Sequence, residues 1–240
     1  LYSGNRKNTT VIERLTHRKL QAIFVAPERL SDPHLWKAIQ KNSVHTVVVA
    51  AFSATVMPDD ISYIAKSLRM KNPVVHIGKL KRSNLSLKKA FVKNDVARYA
   101  KVSKTIQKCG SKGKVVIYCT RVCDVEDMRD FLIEDCDISA SAIALCHSRL
   151  SDRAEQEARF RSGKAHIMIA TSAFGMGVNI SDIRLIIVSQ LPFSVASFYQ
   201  MAGRAGRDGK RAKALLLWND ADFQMNLDII SDTDDRAVEA

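Results

Sequence analysis

The sequence lacks the features that would place it in a membrane or a secretory pathway. No apolar run approaches the about 18 residues that a membrane-spanning helix needs, and no apolar segment of signal-peptide form opens the chain. Five cysteines (Cys109, Cys119, Cys123, Cys136 and Cys146) make neither a CxxC pair nor a secreted disulfide pattern, so a reducing intracellular compartment is expected. Cys119-x-x-x-Cys123 has no second ligand pair nearby, which makes structural cysteines a better reading than zinc. There is no internal repeat or low-complexity tract. The chain does not start with Met, and it reads as a piece of something longer.

Acid is also missing, in one place. From Lys66 to Arg121 there are sixteen Lys or Arg and a single acid, Asp95, whereas seven acids and only Arg236 lie between Asn219 and Ala240. The whole chain carries +12, so a polyanion such as nucleic acid is one expected partner. Solvated helix faces give the same composition, and both readings stay open at this point.

What is present is a βα grammar. Short apolar, β-branched runs recur at 22–25, 44–49, 74–77, 115–118, 140–145, 166–170, 185–188 and 214–218. Runs this apolar suit strands covered on both faces, as in a parallel sheet between helices. Val96, Tyr99, Val102 and Ile106 repeat at helical spacing, with Arg98, Lys101, Lys104 and Lys108 mostly on other faces. A further helix is expected from Ser151 as N-cap to Gly163 as stop, and another from near Ser194. The fold class is α/β. The polar, basic stretch 78–86 reads as a connector between two units.

One junction breaks this grammar. Only Ala50 and Ala51 separate Val49, the end of one strand run, from Phe52-Ser53-Ala54-Thr55, the exit of another. Parallel neighbours need a crossover of about a dozen residues or more. Either one strand runs through, or a segment is missing.

The motifs follow in order. Gln200-Met-Ala-Gly203-Arg204-Ala205-Gly206-Arg207-Asp208-Gly209 combines permanently charged guanidinium forks with glycines that let a ligand approach the backbone. It resembles motif VI of superfamily 2 helicases in the RecQ form. Thr171-Ser172-Ala-Phe-Gly175-Met-Gly177-Val-Asn179 resembles motif V, and Tyr118-Cys119-Thr120-Arg121 resembles motif IV. His147-Ser148-Arg149-Leu150 resembles the RecQ segment Tyr-His-Ala-Gly-Leu, with Cys146, Ser148 and Arg149 departing from it; apart from the resemblance, His147 reads as a structural polar residue rather than a catalytic one. Pro27-Glu28-Arg29 resembles motif Ib, Ser53-Ala54-Thr55 motif III, and Arg82-Ser83-Asn84 the Arg-Pro-Asn near the lobe connector.

The resemblance implies tandem RecA-like parallel-sheet lobes, the first incomplete (1–78) and the second complete (87–224), joined by a connector (79–86) and followed by an acidic tail (225–240). It implies ATP and Mg²⁺ as cofactors and DNA, single-stranded or forked, as partner. By resemblance Arg207 is the arginine finger and Arg204 its partner. Gln200, Gly203, Gly175, Gly177 and Asn179 face the nucleotide. Pro27, Glu28, Arg29, Tyr118, Thr120, Arg121, His147, Arg149, Thr171 and Ser172 face nucleic acid, and Ser53 and Thr55 couple the two sites. A 3′ to 5′ DNA helicase acting in recombination and repair, in the nucleus, is the activity expected of the parent.

The family's P-loop, Gly-x-x-x-x-Gly-Lys-Ser/Thr, and its DExH box occur nowhere in the 240 residues. Gly110-Ser-Lys-Gly113-Lys114 precedes its strand, whereas a P-loop follows one, so it reads as a turn. The missing DExH box falls at the anomalous junction after Val49, which favours a lost segment and a chain unable to hydrolyse ATP alone. A non-catalytic nucleic-acid-binding fragment, a DEAD-box-like RNA helicase and an unstable remnant are the competing readings. Motif VI of the RNA enzymes carries His-Arg-x-Gly-Arg, which this chain lacks.

Overall fold

The computed structural model describes residues 34, 37, 58–68, 70–78, 82–110, 113–174 and 179–238. The expected strands at 22–25 and 44–49, the junction at 49–52, and Pro27, Glu28, Arg29, Ser53, Thr55, Gly175 and Gly177 lie outside these residues. The chain divides between Gly78 and Lys79. Of the first unit, α1 (Pro58–Ser67) is described. Residues 74–77 are irregular there, not the strand expected, and Val74 is 97% exposed.

The second unit contains β1 (Leu85–Phe91), α2 (Asp95–Cys109), β2 (Lys114–Tyr118), α3 (Val122–Glu134), β3 (Ile143–Cys146), α4 (Arg153–Ser162), β4 (Ile167–Ala170), β5 (Ile183–Val188), α5 (Val195–Ala202), β6 (Ala212–Trp218) and α6 (Asp220–Val238). The six strands form one sheet in the order β1-β6-β5-β2-β4-β3. Every pairing is parallel. The complete parallel-sheet lobe expected from the sequence is present.

Apolarity on both strand faces explains this sheet. Val116, Tyr118, Met168, Ile186 and Val188 point into one core with Phe160 of α4 and Ala202 of α5. Their neighbours Val115, Ile117, Ile169, Leu185 and Ile187 point into the other, with Val102 and Ile106 of α2 and Val125, Met128 and Leu132 of α3. Val115–Tyr118 of β2, Ile167–Ala170 of β4 and Leu185–Val188 of β5 therefore read as continuous apolar runs. Helix ends follow local chemistry. Asn94 accepts from the Ala97 N–H to cap α2, Ser194 from the Ser197 N–H to cap α5, and Gly163 ends α4 at φ 84°. The cap of α4 is Asp152, one residue beyond Ser151.

Two further expectations needed correction. The stretch read as a connector to residue 86 already contains the start of β1. On α2, Val96 is 77% exposed, whereas Arg98 is buried at 3%. The reason is a partner distant in sequence. Arg98 Nη2 meets Asp222 Oδ1 at 2.8 Å, and Arg98 also donates to the Ser189 carbonyl. Asp222 accepts in addition from the Leu191 N–H (3.1 Å) and the Asn219 N–H (3.0 Å). Asn226 donates to the Leu191 carbonyl at 2.9 Å. One buried charge pair thus ties α2, α6 and the loop after β5 together.

Without Asp222, Arg98 keeps only its exposed partner Asp95 (Nε–Oδ1 3.0 Å) and loses its buried one, at a cost of up to the about 3–5 kcal/mol of a broken buried pair. Asp222→Ala is expected to lose stability on that scale in urea unfolding followed by far-UV circular dichroism. A loss below about 1 kcal/mol, the range of an exposed pair, would contradict the clamp.

Candidate functional site: a strand-end platform and an arginine cluster

Because all six strands are parallel, the loops that follow them leave from one edge of the sheet. Neighbouring strands β2, β4 and β3 deliver Thr120 and Arg121, Thr171 and Ser172, and His147 and Arg149 to that edge. The nucleic-acid candidates of this unit therefore line up although up to 54 residues separate them in sequence. Backbone bonds fix the edge: Cys119 N–H donates to the Ala170 carbonyl (2.9 Å), Thr171 N–H to the Cys146 carbonyl (3.1 Å) and Ser189 N–H to the Tyr118 carbonyl (2.9 Å).

The side chains at this edge differ in availability. Ser172, Arg121 and Arg149 are exposed, and Thr120 and Thr171 partly so. Arg121 is folded onto Asp124, with Nη2–Oδ1 at 2.7 Å and Nε–Oδ2 at 3.1 Å, and this pairing raises its pKa. Tyr118 and His147 are each 2% exposed. The Tyr118 hydroxyl donates to the Phe174 carbonyl at 3.4 Å, and burial pushes its pKa up. Both side chains are buried in this structure, and neither ring nitrogen of His147 has a hydrogen-bond partner there. Gln190, which motif comparison overlooked, accepts from the Thr120 N–H at 2.9 Å and orders the end of β2.

The second cluster forms where α5 gives way to β6. Gly206 N–H donates to the Ile183 carbonyl at 2.9 Å, anchoring the turn at the start of β5. Arg82 donates to the Gly203 carbonyl at 3.0 Å and to that of Gly206, while Asn84 Nδ2 donates to the Gly206 (2.8 Å) and Lys210 (2.9 Å) carbonyls. Arg82 and Asn84 thus hold the motif VI turn, a role that their sequence pattern did not announce. Arg207 Nη1 donates to Asn179 Oδ1 at 3.3 Å, joining the candidates from motifs V and VI. Gln200 is exposed on α5 and Gly203 follows its last turn.

Like charge crowds this cluster. Partial burial, then Arg204 and Arg82, lower the pKa of Arg207. An anion placed among these guanidiniums would relieve both costs, so the donor set fits the phosphates of a nucleotide. Asp208 is not a free base. It is held by Arg184, with Nη1–Oδ1 at 3.0 Å, and its pKa is lowered. Lys114 is occupied as well: its Nζ lies 2.8 Å from Asp182 Oδ2 and 3.1 Å from the Arg161 carbonyl, so Lys114 is not presented to a phosphate. Among the described residues, no group of three or more His, Cys, Asp or Glu could hold a metal ion.

The turn itself requires glycine at one position. Gly206 has φ 58°, and a Cβ there would come 2.7 Å from the Lys210 carbonyl oxygen, whereas Gly209, at φ 80°, has open space around it. Gly206→Ala is expected to lower the melting temperature well beyond Gly209→Ala, which meets only left-handed backbone strain of about 1–2 kcal/mol. Equal losses would show that the close packing of the turn is relaxed. Cys119, whose burial pushes its thiol up to about 12, and Cys146, raised to about 11, should resist a thiol reagent at pH 8 that labels exposed Cys123.

The family model for the helicase conserved C-terminal domain matches residues 97–209. The ATP-dependent DNA helicase RecQ of Pasteurella multocida is 34% identical over 185 residues, 73% of this chain and 27% of that protein. Its Bacillus subtilis counterpart is 32% identical over 190 residues, 78% of this chain and 31% of that protein. The mouse bifunctional 3'-5' exonuclease/ATP-dependent helicase WRN is 30% identical over 201 residues, 82% of this chain and 14% of that protein. The chain thus spans less than a third of the length of these relatives. In fold it is similar to yeast (S. cerevisiae) Dbp5 bound to RNA and ADP BeF3, with a TM-score of 0.62 at 17% identity, over 93% of this chain and 60% of that one. The motif order, the parallel lobe and these matches together make this a RecQ-like superfamily 2 helicase C-terminal region.

Proposed function

We propose that this chain serves as the second lobe, with part of the first, of an ATP-dependent DNA helicase of RecQ type that moves 3′ to 5′. The observation that carries the reading is the meeting of Arg207 with Asn179 beside Arg204 and Arg82. Bound ATP supplies the phosphoryl group whose transfer drives movement. Arg207 meets charge that develops on that group, and Arg204 adds a second fork. Gln200, Gly203 and Asn179 shape the pocket around them. Mg²⁺ would be held by P-loop and DExH residues, patterns that the 240 residues do not contain, so the chain alone is proposed to be inactive in hydrolysis. The strand-end platform holds the DNA backbone through Thr120, Arg121, Arg149, Thr171 and Ser172. Gln200-Met-Ala-Gly203-Arg204 in place of His-Arg-x-Gly-Arg, and the RecQ relatives, support DNA over RNA as substrate. Action in recombination and repair, in the nucleus, belongs to the same proposal.

The test joins this chain to a first lobe carrying a P-loop and a DExH box and measures DNA-stimulated ATP hydrolysis. Arg207→Ala is expected to reduce turnover by about 10³-fold or more while leaving DNA binding within a few-fold of the parent. No DNA-stimulated hydrolysis in the unsubstituted protein would refute the helicase reading. Hydrolysis indifferent to Arg207 would refute its role.

A further inference from the structure

The sheet topology opens a cleft that the motif residues do not account for. Strands β2 and β5 are neighbours, yet α3 leaves β2 to cover one face of the sheet while α5 leaves β5 to cover the other. Two connections diverging from adjacent carboxyl ends leave a crevice between them. That crevice is lined by Thr120, Ser172, Gln190, Phe193 and Ser197, with Tyr118 among its apolar walls.

Phe193 gives the crevice its chemistry. Its side chain is 53% exposed, although the apolar core lies a few residues away on either side. The loop that carries it is held at both ends. Ser189 and Leu191 are bonded to Arg98, Asp222 and Asn226, and Ser194 caps α5. Pro192 stiffens the step in between. An anchored loop cannot fold the ring inward, so its π-face stays presented beside hydroxyls and an amide. Gln190 Oε1 accepts from both the Thr120 N–H (2.9 Å) and the Ser189 hydroxyl (3.1 Å), which orients the amide and leaves its NH₂ end as the donor.

We propose that this cleft takes one nucleobase of the bound strand, stacked on Phe193, while the adjoining Thr120 and Ser172 hydroxyls hold the flanking backbone. The inference rests on the nucleic-acid reading given above and adds a base-contacting site to it. A flat aromatic group among a few hydrogen-bonding groups suits a base, because every base has a π-face and polar edges. The cleft also shares its Thr120 and Ser172 walls with the phosphate-facing platform, so a strand held there has a base within reach of it.

The experiment measures binding of the 240-residue chain to a single-stranded oligonucleotide by fluorescence anisotropy, with 2-aminopurine as a base probe in a second oligonucleotide. Phe193→Ala is expected to weaken binding at least fivefold and to remove the quenching of 2-aminopurine, while Phe193→Trp retains both. Phe193→Leu separates stacking from simple apolar contact, and it should behave as the alanine variant. Because the Phe193 side chain is exposed, its replacement leaves the core intact, and circular dichroism of each variant checks this. If the unsubstituted chain binds and quenches while Phe193→Ala does so equally, the stacking site is refuted and the nucleic-acid reading stands. If Phe193→Leu matches the unsubstituted chain, the contact is apolar and not a stack, which also overturns the proposal. No binding of any oligonucleotide by the unsubstituted chain overturns both.

Discussion

The arrangement depends on the buried pair between Arg98 and Asp222. Neither residue belongs to a recognised motif, and Arg98 lies far from the arginine cluster in sequence. Yet together they fix the Ser189 and Leu191 backbone, and with it the course of the chain from β5 to α5. That course sets where Gln190 and Phe193 stand beside the end of β2, and it aims α5 toward the turn bearing Arg204 and Arg207. A charge pair in the core is a costly device unless its remaining bonds are satisfied. Here Asp222 accepts from two backbone N–H groups besides the guanidinium, so the cost is met by bonds that also shape the loop.

The two functional faces are separate but physically joined. The strand-end platform gathers hydroxyls and arginines along β2, β4 and β3, whereas the arginine cluster is anchored at the start of β5. Tyr118 spans the distance between them. Its carbonyl accepts from Ser189 at the strand end, and its ring lies in the core within electrostatic reach of Arg204 and Arg207. If the arginine cluster takes phosphate and the strand-end edge takes a polymer, as proposed, this buried ring is placed to couple them, because packed interiors yield little.

Much of the fold was legible because burial on both faces leaves an unbroken apolar run. The five strands from β2 to β6 showed themselves in that way, with ends displaced by three residues at most. β1 did not, because its exposed Ser86, Lys88 and Lys89 break the apolar run, whereas β3 at the opposite edge is buried throughout. Of the site, the glycines and arginines of the motif VI turn were legible through their chemistry. The inward course of Tyr118 and His147, the burial of Arg98, and the clamp of Arg82 and Asn84 on Gly203 and Gly206 were not. Each depends on partners more than fifty residues away or on the sheet as a whole, and local spacing carries no trace of them.

The central claim is that this lobe grips a nucleic-acid backbone with charge and prefers DNA, and the most direct measurement is the affinity of the 240-residue chain for matched DNA and RNA single strands at several salt concentrations. The account predicts that log K falls linearly with log salt, with a slope of about −0.7 for each phosphate neutralised, and that DNA binds more tightly than RNA throughout. Binding that ignores salt, or an equal or stronger preference for RNA, would contradict it.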